Sequence, residues 1–182
     1  KNNMILGKAS PTDMNLHPMN YKWAYDLYNQ AVRNSWFPHE IPLGEDGNFS
    51  IEALVERHNR ELANDLGNLV NRSLSLAEKK LGSVVPDAKT DAELSGKLNL
   101  EKIGAHMENL ETHSALAEIF SFVSACNKYV NDKEPWKLEG KDPHKVLYSV
   151  LDSVRVIAIL LQPFTPQTSQ KIAGQLNVQL GG

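Results

Sequence analysis

The sequence predicts an all-α protein, an antiparallel bundle of four to five helices with an additional N-terminal helix. Apolar residues recur at intervals of three and four along several long stretches, which is the periodicity of amphipathic helices. No stretch alternates apolar and polar residues for long enough to predict a strand. Short connections containing Pro and Gly separate the helical stretches, and such connections favour antiparallel neighbours in a bundle.

The first two predicted helices are separated by a dense set of turn-forming residues. Residues 21–36 contain neither Pro nor Gly and predict a short helix rich in aromatic residues, which Pro38 ends. Residues 41–50 form a loop, and Ser50 is the expected N-cap of the next helix. That helix is long and amphipathic, covers residues 51–81, and ends at Gly82.

Three helical stretches follow a polar surface connection at residues 84–99. The first covers about residues 100–131, with Gly104 expected to interrupt its start. The second begins at Asp142-Pro143, an N-cap followed by Pro at the first helical position, and stops at Pro163. Thr165-Pro166 repeats this start signal for a last helix through about residue 176.

Composition limits the classes of function. The chain has 182 residues, 41% of them hydrophobic and 23% charged, as in an ordinary soluble protein with one core. A net charge of -3 argues against holding nucleic acid by bulk electrostatics, so any such contact must be local. The single Cys126 excludes an intramolecular disulfide and favours a cytoplasmic setting. No apolar stretch approaches the roughly 20 residues that cross a bilayer, so no membrane contact is predicted.

The sequence lacks the motifs of the common catalytic and metal sites. It has no Glu-x-x-His pair, no Gly-rich phosphate loop and no nucleophile elbow. Glu111 and His113 lie two residues apart and would point to different helix faces, which favours a polar surface over a metal site. Cys126 stands among apolar residues and is expected to be buried. We therefore predict no catalytic residue, no metal and no cofactor.

A polar stripe on the long helix is the main candidate site. Asn64, Asn68 and Arg72 fall four residues apart, roughly opposite the apolar face. Spacing alone favours an ordinary solvated face. Amides and a guanidinium nevertheless suit hydrogen bonding to base edges, and Trp136, which follows Pro135, is placed to present an indole for stacking. A core anchor between helices is the alternative role for Trp136.

Four motifs in order make residues 40–176 resemble the anticodon-binding domain of methionyl-tRNA synthetases. They are residues 42–50 (Pro-Leu-Gly-Glu-Asp-Gly-Asn-Phe-Ser), 63–72 (Ala-Asn-Asp-Leu-Gly-Asn-Leu-Val-Asn-Arg), 129–136 (Tyr-Val-Asn-Asp-Lys-Glu-Pro-Trp) and 161–166 (Leu-Gln-Pro-Phe-Thr-Pro). The resemblance implies that Asn68, Arg72 and Trp136, with Asn64 as a weaker candidate, read the CAU anticodon of tRNA(Met). The catalytic signatures of that family do not occur here, so we expect no aminoacylation by this chain alone.

Residues 18–41 resemble another family, the small subunit of ribonucleotide reductase, through an aromatic run that ends in Trp36-Phe37-Pro38-His39-Glu40-Ile41. In that family the Trp lies near a metal site, but the helices that would supply the ligands are not found here, so packing is the expected role of Trp36. The hypothesis is a chimera, with a reductase-like segment at residues 1–41 and the anticodon-binding bundle at 42–182. The alternatives are a non-catalytic reductase fragment and a helical scaffold that does not bind RNA.

Overall fold

The computed structural model describes residues 51–86, 88–140 and 142–179. Every regular element within these ranges is a helix, which confirms the all-α prediction. Five helices of two turns or more, and one single-turn helix, are described. The predicted N-terminal helix at residues 21–36, Trp36 and the Ser50 cap lie outside the described residues.

The long first helix, α1, is not a single uninterrupted α-helix. It consists of Ile51–Arg57, a π-helical stretch His58–Leu66, and the α-helical part Gly67–Leu81. Gly at position 67 allows the change of geometry, because a Cβ there would lie only 3.2 Å from the carbonyl oxygen of Leu62. As predicted, α1 ends at Gly82, whose φ of +61° is the left-handed conformation that Gly adopts at little cost.

The predicted helix at residues 100–131 is in fact two helices, α3 (Leu100–Glu108) and α4 (Thr112–Lys133). The break lies at residues 109–111, where Leu110 has a φ of +62°, and Gly104 lies inside α3. Periodicity did not reveal this break, since the apolar pattern continues across it. The preceding connection, predicted as a surface loop, contains the single-turn helix α2 (Ala92–Ser95), whose first turn the Asp91 side chain caps.

The two last helices begin and end close to the predicted residues. Helix α5 covers Asp142–Leu161, and α6 covers Pro166–Leu176. Pro163 lies just beyond the end of α5, and Pro166 is the first residue of α6. Thr165 precedes α6 but does not cap it through its side chain, because its hydroxyl donates to the carbonyl of Leu161 at 3.4 Å.

The core is centred on α4 and α5. The fully buried side chains of these helices interlock and are covered by α1 and by the shorter helices; they include Leu116, Ile119, Val123, Val130, Leu147, Val150, Val154 and Ile157. Cys126 is fully buried here, as predicted, and burial raises the pKa of its thiol to about 12. No helix among the described residues is both long and apolar enough to cross a membrane.

Polar contacts between helices show how the helices run. The Cys126 thiol meets Ser153, and Tyr129 meets Ser149, so α4 and α5 are antiparallel. Helix α1 and the second half of α4 run in the same direction, because Asp65 pairs with Asn127 and Arg72 with Asn131. This arrangement brings the end of α4, and the turn that follows it, beside the middle of α1.

Candidate functional site

A polar cavity of about 690 Å³ lies between α1 and α4. Four lining residues come from α1 and five from α4; they are Asn64, Asp65, Asn68 and Arg72, then Ser124, Asn127, Lys128, Asn131 and Asp132. Three of the four residues predicted from the sequence thus line one cavity. The fourth, Trp136, joins them through Arg72.

Arg72 is held by two neighbours. Its Nη2 donates a hydrogen bond of 2.8 Å to Oδ1 of Asn131, and its Cζ lies 5.7 Å from the ring centroid of Trp136. A guanidinium at this distance from an indole is attracted to the negative face of the ring. Both partners lie far along the chain from Arg72, so the position of the guanidinium depends on the packing of α4 against α1.

Trp136 lies in the turn after α4 and is 40% exposed, so the core does not enclose its indole. The turn begins at Glu134, whose φ of +44° ends α4, and continues through the buried Pro135. It is tied back to α1, because Nζ of Lys80 donates to the carbonyl of Leu138 at 2.8 Å. The indole is thereby presented on the surface beside α1.

The two amides of the stripe are exposed, but they do not share one helix geometry. Asn68 and Arg72 belong to the α-helical part of α1 and lie one turn apart. Asn64 belongs to the π-helical stretch, where the rotation per residue is smaller than the value of about 100° assumed for the stripe. Asn64 still lines the same cavity as the other two.

Sequence reasoning did not select two further amides of the site, Asn127 and Asn131 on α4. They lie one turn apart, and each bonds to α1: Nδ2 of Asn127 donates to the carbonyl of Asp65 at 3.0 Å, and Asn131 accepts from Arg72. The signal that marks them is their four-residue spacing, which places both on one face of α4. Only packing reveals that they face α1.

The charges that line the cavity are balanced. Arg72 and Lys128 are offset by Asp65 and Asp132, and Nζ of Lys128 lies 2.7 Å from a carboxylate oxygen of Asp132. The cavity therefore has no excess of basic residues, and the whole chain, with a net charge of -3, has none either. The surface offers directional hydrogen bonds and an aromatic plane, and little net attraction for phosphate.

A second polar network supports the end of α4. The Tyr129 hydroxyl donates to Asp91 at 3.0 Å, and Nζ of Lys133 lies 2.6 Å from Glu93 and 5.4 Å from the centroid of the Tyr129 ring. The backbone N–H of Glu93 and the Tyr129 hydroxyl lower the pKa of Asp91. Burial, and next the Asp91 carboxylate, raise the pKa of Tyr129. The network joins α2 to the last turns of α4, which carry Asn131 and lead to Trp136.

Among the described residues, His113, and His106 on the preceding helix, each contact a single polar side chain. Nδ1 of His106 lies 2.5 Å from Oε2 of Glu111, and the two residues bracket the break between α3 and α4. His113 contacts the Ser114 hydroxyl at 3.1 Å. Within the part of the chain that the structure describes, no three His, Cys, Asp or Glu residues are grouped as a metal site would require.

Two family models match the chain, and together they include all four predicted residues. The model of class I tRNA synthetases (M) matches residues 20–74, a range that contains Asn64, Asn68 and Arg72. The model of the anticodon binding domain of methionyl tRNA ligase matches residues 83–180, more than half of the chain, and includes Trp136. The chain therefore belongs to the family of methionyl-tRNA ligase anticodon-binding domains.

Individual relatives agree with the family. The chain is 38% identical to the methionine–tRNA ligase of Caldanaerobacter subterraneus subsp. tengcongensis, over 94% of this chain and 28% of the relative. It is 40% identical to that of Clostridium acetobutylicum, over 78% of this chain and 24% of the relative. The chain thus spans about a quarter of the length of these proteins.

Solved structures show the same fold. The apo form of Mycobacterium tuberculosis methionyl-tRNA synthetase matches with a TM-score of 0.74 and 34% identity, over 80% of this chain and 32% of that one. The same synthetase in complex with methionyl-adenylate matches with a TM-score of 0.73 and 34% identity, over 81% and 32%.

These comparisons give no support to the predicted reductase chimera. The class I synthetase match starts at residue 20 and continues to residue 74, through the supposed junction near residues 40–46. The match to the Caldanaerobacter ligase likewise covers nearly the whole chain. The chimera rested on a short aromatic run, and a run of that length with a few fixed positions is a much weaker indication than similarity along the whole chain.

Proposed function

We propose that this chain binds the anticodon loop of tRNA(Met) as part of a methionine–tRNA ligase. In this proposal Asn68, Arg72 and Trp136 read the CAU anticodon, and Asn64 has a lesser role. The observation that carries it is the pairing of the Arg72 guanidinium with an exposed indole 5.7 Å away, beside a cavity lined by amides. A cytoplasmic setting agrees with this role.

The chemistry of these groups matches that of an unpaired base. Bases in an RNA loop are recognised when they stack on an aromatic plane and form hydrogen bonds along their exposed edges. Stacking on the Trp136 indole is worth about 1–3 kcal/mol per base. Arg72 has five N–H donors and gives one to Asn131, so donors remain for a base edge. The Asn68 amide can both donate and accept.

Because the chain carries a net charge of -3, phosphate contacts should contribute little to this binding. Affinity then depends on the small number of base contacts, and removal of one of them should have a large effect. Contacts made by another domain of a complete ligase would add to the affinity through effective concentration.

The test compares a CAU anticodon stem-loop with one carrying a swapped anticodon, using fluorescence anisotropy. We expect the wild-type chain to prefer CAU, and Trp136→Ala to lose this preference because the stacking plane is removed. Ile159→Ala is the matched control, since Ile159 is 39% exposed, close to the 40% of Trp136, and lies on α5 away from the cavity. The control should bind like the wild type.

Two results would contradict the proposal in different ways. Equal CAU binding by wild type and Trp136→Ala would remove the indole from the reading set. Failure of the folded wild-type chain to distinguish CAU from the swapped loop would reject anticodon reading altogether and favour the helical scaffold.

A further inference from the structure

We propose that Asn131 is a positioning residue, which holds the Arg72 guanidinium in its base-reading orientation without touching the base. This inference rests on the proposed function and adds a residue to that site. Asn127, one turn earlier on α4, assists by fixing the backbone of α1 just before Asn68. We refer to Asn127 and Asn131 together as the amide clamp.

The contact between Asn131 and Arg72 orients the guanidinium and leaves its charge in place. Oδ1 of Asn131 accepts one N–H from Nη2 at 2.8 Å, while the Trp136 ring lies 5.7 Å from Cζ. A carboxylate in the position of Asn131 would orient the guanidinium equally well but would also offset its positive charge. The nearest carboxylate on α4, Asp132, is instead paired with Lys128 at 2.7 Å. Asn131 therefore orients the Arg72 guanidinium through a neutral group.

Asn127 acts on the backbone. Its Nδ2 donates at 3.0 Å to the carbonyl of Asp65, near the end of the π-helical stretch His58–Leu66. The hydrogen-bond register of α1 changes between Asp65 and Gly67. The backbone N–H of Gly67 is shared between the carbonyls of Leu62 and Asn64. A bond from α4 at this point fixes the start of the α-helical part. Asn68 comes directly after Gly67, so its direction depends on that start.

The energetic reason for such a clamp is the cost of ordering an arginine. A free Arg side chain has many rotamers, and binding must overcome the loss of this entropy if the side chain is disordered beforehand. Asn131 and Trp136 restrict Arg72 before RNA arrives. Because Asn131 is exposed, the fold has little need of its side chain, and loss of the clamp should reduce binding more than stability.

The first experiment measures binding of the CAU stem-loop to Asn131→Ala. We expect affinity to fall roughly 3- to 10-fold, the effect of one lost hydrogen bond, with little change in melting temperature. Asn131→Gln, which keeps an amide acceptor, should recover part of the loss. Asn71→Ala is the matched control, because Asn71 is an exposed asparagine next to Arg72 in sequence that does not line the cavity.

A double-mutant cycle then separates positioning from a general structural role. If Asn131 acts through Arg72, Asn131→Ala should cause no further loss in an Arg72→Ala background. Additive losses, or a loss matched by a fall in melting temperature, would overturn the inference. If Trp136→Ala and Arg72→Ala lose the CAU preference while Asn131→Ala keeps full affinity, this inference alone fails. Absence of any CAU preference in the wild type rejects both proposals.

Discussion

At the scale of single residues, the properties of a side chain follow from its neighbours more than from its type. Arg72 lies on a helix face that would be ordinary solvated surface if α4 were not beside it. Asn131 and Trp136 convert its flexible guanidinium into a group of defined direction. Cys126 shows the opposite case, a reactive side-chain type that its surroundings make inert.

Cys126 should not react with thiol reagents in the folded protein. It is fully buried, and burial raises the pKa of its thiol to about 12, so at pH 8 the nucleophilic thiolate is almost absent. Labelling with a chromogenic disulfide at pH 8 should be very slow without denaturant and should reach one thiol per chain in denaturant, since the chain has a single Cys. Glutathione in the same buffer controls for the reagent. Rapid labelling of the folded chain would show that α4 and α5 do not enclose this thiol.

At the scale of helices, the start and end signals have separable physical causes. The backbone of Gly82 ends α1 by turning to a φ of +61°, and Gly suits this position because a residue with a Cβ disfavours that conformation. Gly104 has no such role, because it lies inside α3 with an ordinary helical backbone and open space around it. The two glycines therefore differ in what an added methyl group does.

Gly104→Ala should stabilise the protein and Gly82→Ala should destabilise it. Ala at position 104 removes the entropic penalty of Gly in a helix, worth about 0.5–1 kcal/mol. Ala at position 82 must adopt a left-handed conformation, at a cost of roughly 1–2 kcal/mol. Urea unfolding followed by circular dichroism measures both changes, and each variant serves as the control for the other. A shift in the same direction for both would contradict the distinct roles assigned to the two glycines.

At the scale of the whole molecule, charge limits how the proposed RNA binding can work. The net charge is -3, and the two cations that line the cavity, Arg72 and Lys128, are matched in number by Asp65 and Asp132. A domain of this kind attracts phosphate weakly. Its selectivity should therefore come from base contacts, which do not depend strongly on salt.

Binding of the CAU stem-loop should accordingly depend only weakly on salt. One or two phosphate contacts predict a slope of about -0.7 to -1.4 in a plot of log affinity against log salt concentration. Arg72→Gln should weaken binding and, if the guanidinium also meets a phosphate, make the slope shallower by about 0.7. Arg155→Gln is the control, since Arg155 on α5 is paired with Asp152 at 2.7 Å and does not line the cavity. A wild-type slope several times steeper would mean that an extended basic surface carries the binding.

The sequence by itself determined the helical class and most helix ends. These depend on local causes: the helical period, the missing N–H of Pro163 and Pro166, and the left-handed Gly82. The candidate base-reading residues came from the family resemblance, because their spacing alone favours an ordinary solvated face. Local signals were weaker where two geometries share one apolar pattern, as in the π-helical stretch of α1 and the break at residues 109–111. The resemblance of residues 18–41 to a reductase was also a weak indication, because it rested on one short run of residues.

Only the tertiary structure decided which groups meet. Arg72 and Asn131 are 59 residues apart, and no local pattern specifies that their side chains bond. The common direction of α1 and the end of α4, which brings Asn127, Asn131 and Trp136 beside the polar stripe, results from packing around the buried core. Periodicity specifies which face of a helix is buried, whereas the partner of each exposed side chain depends on how the helices pack.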